Sequence, residues 1–405
     1  MAEALGRQAG GRNRIEDLER PQLDDRSYRI ITLPNQLEVL LIHEAGTDKA
    51  SAALDVNVGS FSDAPDMPGI AHAVEHLLFM GTEKYPEENA YNQYLTRHGG
   101  YSNAFTASTS TNYYFELSYP SSSPKSSQAA TPDASQVNLS ESKEDSPLWG
   151  ALDRFGQFFI SPLFLEDTVD RELKAVDSEN KKNLQNDTWR MHQLDKALAN
   201  PGHPYNHFST GSYKTLHDEP IARGVKIRDE FIKFHSTHYS ANRMKLVVLG
   251  RESLDTLETW VEDIFAKVPN KDLGKNRWDM PVYTEKELLT QTFARPVLQS
   301  RSLQIQFAYR DEENFYESHP SRYLSHLLGH EGPGSILSLI KAKGWANGLG
   351  AGGSTLCPGS GLFTINIKLT EEGLKNYKEV TKLVFQYIGL MRDQPPQELS
   401  LIHIS

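Results

Sequence analysis

Apolar positions recur along this chain in two different periods. Leu37–Ile42 and Ala52–Val58 are rich in β-branched and aliphatic residues in partial alternation with polar ones, which predicts strands. From Pro68 to Gly81 the pattern changes. Ile70, Val74, Leu77, Leu78, Phe79 and Met80 leave almost no polar side, so this segment is predicted to be a buried helix, with Pro68 near its start and Gly81 just past its end. His98, Gly99 and Gly100 mark a turn, and Ser102–Thr106 and Asn112–Leu117 then form a predicted strand pair. Helices are predicted for Trp149–Phe159, for the stretch carrying Val169, Leu173 and Val176, for Trp189–Leu198 (stopped by Pro201 and Gly202) and for Val225–His235. Met244–Leu249 reads as a buried strand. Asp272–Pro281 marks a domain boundary. A second α/β unit begins near Gln291, with a strand at Leu303–Phe307, a helix at Ser321–Leu328 and a glycine cluster from Gly348 to Gly353.

The helix at 68–81 carries polar groups that its surroundings make costly. His72, Glu75 and His76 stand in the order His-x-x-Glu-His. The two histidines are one turn apart and share a face, so both rings can reach one metal ion. Glu75 lies beside His76, within reach of a water at that metal. This is the inverted form of the His-Glu-x-x-His peptidase motif. Buried imidazoles that merely satisfy one another are the competing reading, but two histidines and a glutamate in so apolar a helix are expensive unless paired or bound to metal. A catalytic zinc takes three protein ligands and keeps a fourth position open. The third is sought in the helix at Glu172–Glu179, where Glu172 and Glu179 lie two turns apart on one face. Spacing alone leaves both open, and each taken singly is an ordinary solvated helix charge. His326 and His330 repeat the four-residue spacing without an acid between them, and the glycines around them argue against a second metal.

Composition narrows the class. The chain has 405 residues, enough for two or three domains, and a net charge of −11 with no basic patch of the kind that nucleic acid requires. Its one cysteine, Cys357, rules out an internal disulfide and suits a reducing compartment. Residues 1–28 carry charges of both signs and no apolar core, unlike a secretory leader, and no run approaches a membrane span. A cytoplasmic protein with a short flexible N-terminal tail is expected, with no nucleic-acid or membrane partner.

Several longer runs then agree with one family. Gly69–Glu83 around the motif, Ser102–Thr106, Thr111–Phe115, Ala151–Phe155, Asp177–Glu179 and His330–Ser335 follow one another as they do in the pitrilysin family of zinc peptidases, in its insulysin branch. The resemblance implies an α+β fold of two homologous units, each an antiparallel-rich sheet with helices on one face. It implies one Zn2+ per chain held by His72, His76 and Glu179, with Glu75 as general base and Glu172 supporting the site from behind. It implies that the strand holding Asn103, Ala104 and Phe105 is an edge to which a peptide substrate adds as a further strand. It also suggests an exosite at Gly350, Gly352 and Gly353, for which a plain turn is the alternative. The expected function is that of a zinc metalloendopeptidase. A non-catalytic, peptide-binding or subunit-like member of the same fold is the alternative, and the intact motif weighs against it.

The domain plan expected from this is a tail at 1–28, a catalytic domain at 29–277, and a second homologous domain at 278–398. Residues 118–146 contain ten serines among 29 residues and are expected to form a disordered surface insertion that the family lacks. Residues 399–405 match nothing in the family and have the look of a translated sequencing adapter, so the chain is expected to be a truncated half whose natural partner is the missing C-terminal half. The resemblance leaves a homo-oligomer open.

Overall fold

The structure, a computed structural model, describes residues 14–120, 143 and 145–396. Residues 1–13, most of the serine-rich insertion (121–142 and 144) and the last nine residues, among them the stretch 399–405, lie outside the described residues. The chain divides into two compact units, Met1–Lys181 with Phe208–Asn276, and Lys182–His207 with Arg277–Ser405.

The first unit is built on seven strands: β1 (Arg14–Ile15), β2 (Ser27–Thr32), β3 (Glu38–His43), β4 (Lys49–Val56), β5 (Tyr101–Thr106), β6 (Thr111–Ser118) and β7 (Met244–Gly250). They form one sheet in the order β1-β2-β3-β7-β4-β6-β5. Only β3 and β7 run parallel; every other pairing is antiparallel. The cause is local: β4 and β6 alternate buried and half-buried positions along their whole length, so each shows one face to a core. That core holds Leu41, Leu54, Tyr113, Phe115, Phe155, Phe158, Phe159 and Phe265, all essentially fully buried. Each such side chain contributes about 1.5–3 kcal/mol of burial free energy.

Eight helices follow the chain through and past this sheet: α1 (Ile70–Leu78), α2 (Ala90–Arg97), α3 (Pro147–Ile160), α4 (Glu166–Asn183), α5 (Asp187–Ala197), α6 (Glu219–Ala222), α7 (Ile227–His238) and α8 (Leu254–Phe265). α3 begins with Ser146 as cap, its hydroxyl accepting from the Trp149 N–H, and with Pro147 in the first turn. α3 packs on β4 and β6, and α8 on β2 and β3. Gly156 of α3 lies so close to Ile264 of α8 that a Cβ there would come within 2.4 Å of its methyl.

The tail expected up to residue 28 is ordered from Arg14 onward. The reason is an ion network that composition does not reveal. Arg29 is buried and binds Glu258 (2.7 Å), Asp255 (2.8 Å) and Glu16 (2.6 Å), and Arg14 adds a second contact to Glu258 at 2.5 Å. These pairs tie β1 and β2 to α8. Residues at the two ends of the serine-rich segment also meet on one side chain: the Tyr119 hydroxyl donates to Glu252 at 2.6 Å and the Ser146 hydroxyl to the other oxygen of Glu252 at 3.0 Å.

The second unit has three antiparallel strands, β8 (Ser302–Tyr309), β9 (Ala346–Cys357) and β10 (Ser360–Leu369), in the order β8-β10-β9. With them are α9 (Pro320–Leu328), α10 (Ile336–Ala342), α11 (Glu371–Lys375) and α12 (Tyr377–Arg392), around a core of Leu337, Ile340, Ile365, Ile367, Val380 and Val384. Lys182–His207, which chain order alone puts with the first unit, belongs here. Asp187 accepts hydrogen bonds from the backbone N–H groups of Val297 (2.9 Å) and Leu298 (3.0 Å), and Asn200 donates its N–H to Val282. The glycines of 348–353 are not in a turn. They lie within β9, an edge strand, and Gly353 is required by α9, since a Cβ there would approach that of Ser321 to 2.7 Å.

His235 on α7 is half-buried, its Nε2 is enclosed without a hydrogen-bond partner, and desolvation pushes the imidazole down to about 3 from 6.5. Between those values the unfolded chain binds a proton that the folded chain does not, so stability falls as the pH drops below 6.5. The slope from this one group reaches ~1.4 kcal/mol per pH unit. Urea titrations at pH 7 and pH 5 should therefore show a smaller acid loss in His235→Phe than in the parent chain.

Candidate active site

α1 is held at both ends. Asp63 accepts from the backbone N–H of Gly69 (2.7 Å) and of Ala71 (3.0 Å), which satisfies two donors of the first turn and places a negative charge at the positive end of the helix. Gly69 precedes the helix with φ 98° and Gly81 follows it with φ 101°, both in the left-handed region that glycine occupies without strain. Ile70, Ala71, Ala73, Val74, Leu77 and Leu78 are buried. His72, Glu75 and His76 are thereby carried into the interior on a helix with little freedom to turn.

Each imidazole has its Nδ1 engaged. The His72 Nδ1–H donates to the Thr210 carbonyl at 2.7 Å, and a carbonyl can only accept, so the lone pair of this ring is on Nε2. The His76 Nδ1–H donates to Glu172 Oε2 at 3.2 Å, with the same result. The two Nε2 atoms then face one carboxylate: Glu179 Oε2 is 3.5 Å from that of His72 and Oε1 is 3.8 Å from that of His76. Donor atoms of His72, Glu75 and His76 also lie within 4.8 Å of one another, the one cluster of its kind among the described residues. Glu75 is 7% exposed and its Oε2 accepts from the Thr106 hydroxyl at 2.5 Å.

Electrostatics favour a cation at this point. Burial raises the Glu75 carboxyl above its ordinary value, against the hydrogen bond from Thr106 and the pull of the two histidines. Burial alone would push His76 down, but Glu172, Glu75 and Glu179 outweigh it and raise it. Among the described residues no lysine or arginine pairs with Glu75 or Glu179. A tetrahedral zinc with nitrogen and oxygen ligands needs donors about 3.4 Å apart. The separations of 3.5 and 3.8 Å from Glu179 to the two Nε2 atoms suit that requirement, as does a donor set of two imidazoles and a carboxylate. The residues fit the ion that the motif implies.

Spacing left Glu172 and Glu179 equivalent. In the fold they differ: α4 sets Glu172 against the far nitrogen of His76 and Glu179 beside the two free nitrogens. α4 is itself tied to the loop that bears Thr210, because Asp177 accepts from the Tyr213 N–H (3.1 Å) and Asp170 from the Tyr213 hydroxyl (2.7 Å). The same loop is pressed on the start of α1 through Gly69 and Gly211, and the Thr215 hydroxyl donates to the Pro68 carbonyl. Sequence reasoning missed Thr210, whose contribution is a backbone carbonyl and leaves no side-chain signature. It also missed Asp63 and the hydroxyl of Thr106. Thr106 stood inside a recognised run, but strand patterning does not say what the last hydroxyl touches.

Asn103, Ala104 and Phe105 lie on β5, which is the sheet's edge and pairs on one side only, with β6. α1 packs against this strand. Phe105 is 54% exposed. In the second unit, Gly352 and Gly353 line a groove of about 770 Å³ with Ser321, Arg322, Ser325 and His326, whereas Gly350 has open space beside it.

A Cβ on Gly69 would meet the Gly211 Cα at 2.3 Å, on a backbone already at φ 98°. Gly69→Ala should therefore lower stability by about 1–3 kcal/mol, read as a shift of the urea midpoint at unchanged slope.

Comparison with known proteins agrees with this geometry. Residues 38–202 match the family described as insulinase (Peptidase family M16), and residues 226–402 match the Peptidase M16 inactive domain. The first match contains His72, Glu75, His76, Glu172 and Glu179. The A-factor-processing enzyme of Saccharomyces cerevisiae is 48% identical over 387 residues, covering 94% of this chain and 35% of the relative. Human insulin-degrading enzyme is 45% identical over 375 residues, covering 93% of this chain and 34% of the relative. The crystal structure of pitrilysin superposes with a TM-score of 0.83 at 29% identity, over 96% of this chain and 39% of that one. The chain thus spans about a third of the length of the curated relatives it matches. It is a member of the insulinase family of peptidases, family M16.

Proposed function

We propose that the chain is the zinc-binding, catalytic part of a metalloendopeptidase that cleaves peptides. The observation that carries this reading is the convergence of the His72 and His76 Nε2 atoms on the Glu179 carboxylate, with Glu75 beside them and Glu172 behind His76. Zinc held by His72, His76 and Glu179 supplies Lewis acidity toward a water and a peptide carbonyl. Glu75 takes the proton of the attacking water and returns it to the leaving nitrogen as the peptide bond breaks. Glu172 keeps the His76 proton on Nδ1 and so its lone pair on Nε2. The substrate backbone pairs with the free edge of β5 at Asn103, Ala104 and Phe105, a mode of binding that reads little side-chain sequence. The stretch of β9 with Gly350, Gly352 and Gly353, open at Gly350 and closely approached by α9 at Gly353, serves as an exosite on the second unit.

The relatives are about three times as long, and two are named for acting on a-factor and on insulin. We take the substrates to be peptides of that general kind, and the counterpart of the missing length to be the partner that holds them over the metal. Positioning of this sort can supply several kcal/mol of a catalytic barrier. The compartment we propose is cytoplasmic, on the ground that the one cysteine, Cys357, is a free and buried thiol. No helix among the described residues is long and apolar enough to cross a membrane.

Hydrolysis of a quenched fluorescent peptide by the 405-residue chain tests the reading. Cleavage should stop when a chelator removes the metal and return with added zinc. Glu75→Gln should retain one zinc per chain and lose at least ~100-fold in kcat. Glu179→Gln should lose the zinc itself. Glu172→Gln should weaken zinc binding by about 10–100-fold. A zinc-loaded Glu75→Gln chain that cleaves at the parental rate would remove Glu75 from its role.

A further inference from the structure

We infer that Thr106 is the positioning residue that aims the Glu75 carboxylate, and that it does so from the end of the strand on which the substrate is read; the inference rests on the peptidase reading of this site. The Thr106 hydroxyl donates to Glu75 Oε2 at 2.5 Å. Among the described residues it is the one side-chain donor that reaches Glu75. The two buried hydroxyls nearby, Tyr113 and Tyr239, are bonded to each other at 2.8 Å. A carboxylate with one oxygen bound presents the other in a defined direction, and a buried carboxylate with no donor would be both mobile and unfavourable.

The support for Thr106 is rigid. It ends β5, and the turn that follows is docked on residues 57–61. The Ser60 N–H donates to the Ala107 carbonyl (3.0 Å), the Phe61 N–H to the Ser108 carbonyl (2.9 Å), and the Asn57 side chain to the Thr109 carbonyl (3.1 Å). The Thr111 hydroxyl, fully buried, donates to the Val58 carbonyl at 2.8 Å. Gly59 permits this approach, since a Cβ there would lie 2.4 Å from the Ala107 oxygen. So the hydroxyl of Thr106 is held against Glu75 by backbone contacts that do not involve the histidines. Peptide pairing at Asn103–Phe105 and orientation of the base at Thr106 then belong to one continuous strand.

Two substitutions separate the hydroxyl from the shape of the side chain. Thr106→Val keeps the volume and removes the donor, whereas Thr106→Ser keeps the donor. In the zinc-loaded chain, Val should lower kcat by about 10–100-fold with KM within twofold, and Ser should retain most of kcat. Two measurements on the metal-free chain do not depend on activity. A crystal structure of Thr106→Val should show the Glu75 carboxylate turned from the point between His72 and His76, and that of Thr106→Ser should show it in place. Affinity for a labelled peptide, followed by fluorescence anisotropy, should stay within twofold in both. The inference is overturned if Glu75 keeps its orientation in Thr106→Val, if Ser fails to restore kcat, or if peptide affinity falls together with kcat, which would make the side chain a part of the strand and no more. A parent chain that neither binds zinc nor cleaves peptide would undo the peptidase reading, while the two crystal structures would still decide what Thr106 does.

Discussion

Two imidazoles and a carboxylate carried into the interior on an apolar helix are the constraint to which much of the first unit answers. An unpaired polar group in such a place costs about 1–3 kcal/mol, and more if charged. The inner nitrogens of His72 and His76 are therefore met, one by the Thr210 carbonyl and one by Glu172. Those partners come from segments far along the chain, and meeting the requirement brings a loop and α4 against α1. Once they are there, the outer nitrogens have lone pairs and no protons, and Glu179 arrives beside them because it lies two turns beyond Glu172 on the same helix. Folding of the apolar helix and assembly of the candidate metal site are in this sense one requirement seen from two sides.

A short segment carries the mechanical load between the parts. Residues 57–61 grip the turn between β5 and β6, and Asp63, two residues on, holds the first turn of α1. The strand proposed to receive substrate and the helix that bears the proposed catalytic groups are thus fastened to the two ends of a single stretch of about seven residues. Errors of an ångström in placing a catalytic group can cost orders of magnitude in rate. A common anchor built from backbone hydrogen bonds is a direct way to avoid them.

What was legible in the sequence follows from which interactions leave a pattern. β3, β4, β5, β6 and β7 were all foreseen within a few residues, because alternation or a run of aliphatic and β-branched residues is visible in the sequence. α1 was visible for the opposite reason, being apolar on all sides, and its histidines stood out against that background. β1 and β2 were not foreseen. β1 has two residues, too few for a period, and what orders it is the arginine–carboxylate network around Glu258, whose partners are more than 200 positions apart. The allegiance of Lys182–His207 was hidden in the same way, since Asp187 binds backbone N–H groups that any residue would offer. Glu172 and Glu179 could be narrowed to a helix face by spacing, and only the family resemblance or the fold itself separates them. The glycines of β9 misled in one respect, for a cluster of glycines suggests a turn, and here it is an extended edge that another element approaches closely.

The clasp at Glu252 bears on how such a chain can change over time. Tyr119 and Ser146 are fixed to the two oxygens of one buried carboxylate, so the strand that leaves the sheet and the helix that re-enters it are registered at that point. The entropic cost of a longer loop between fixed ends grows only logarithmically, about 0.6 kcal/mol for each doubling. Whatever lies between the two clasped residues can therefore lengthen, shorten or drift in composition at small thermodynamic cost. His76 and Glu179 are separated by that stretch in the chain but not in space. A change of length between Tyr119 and Ser146 is thereby uncoupled from the geometry around His72, His76 and Glu179.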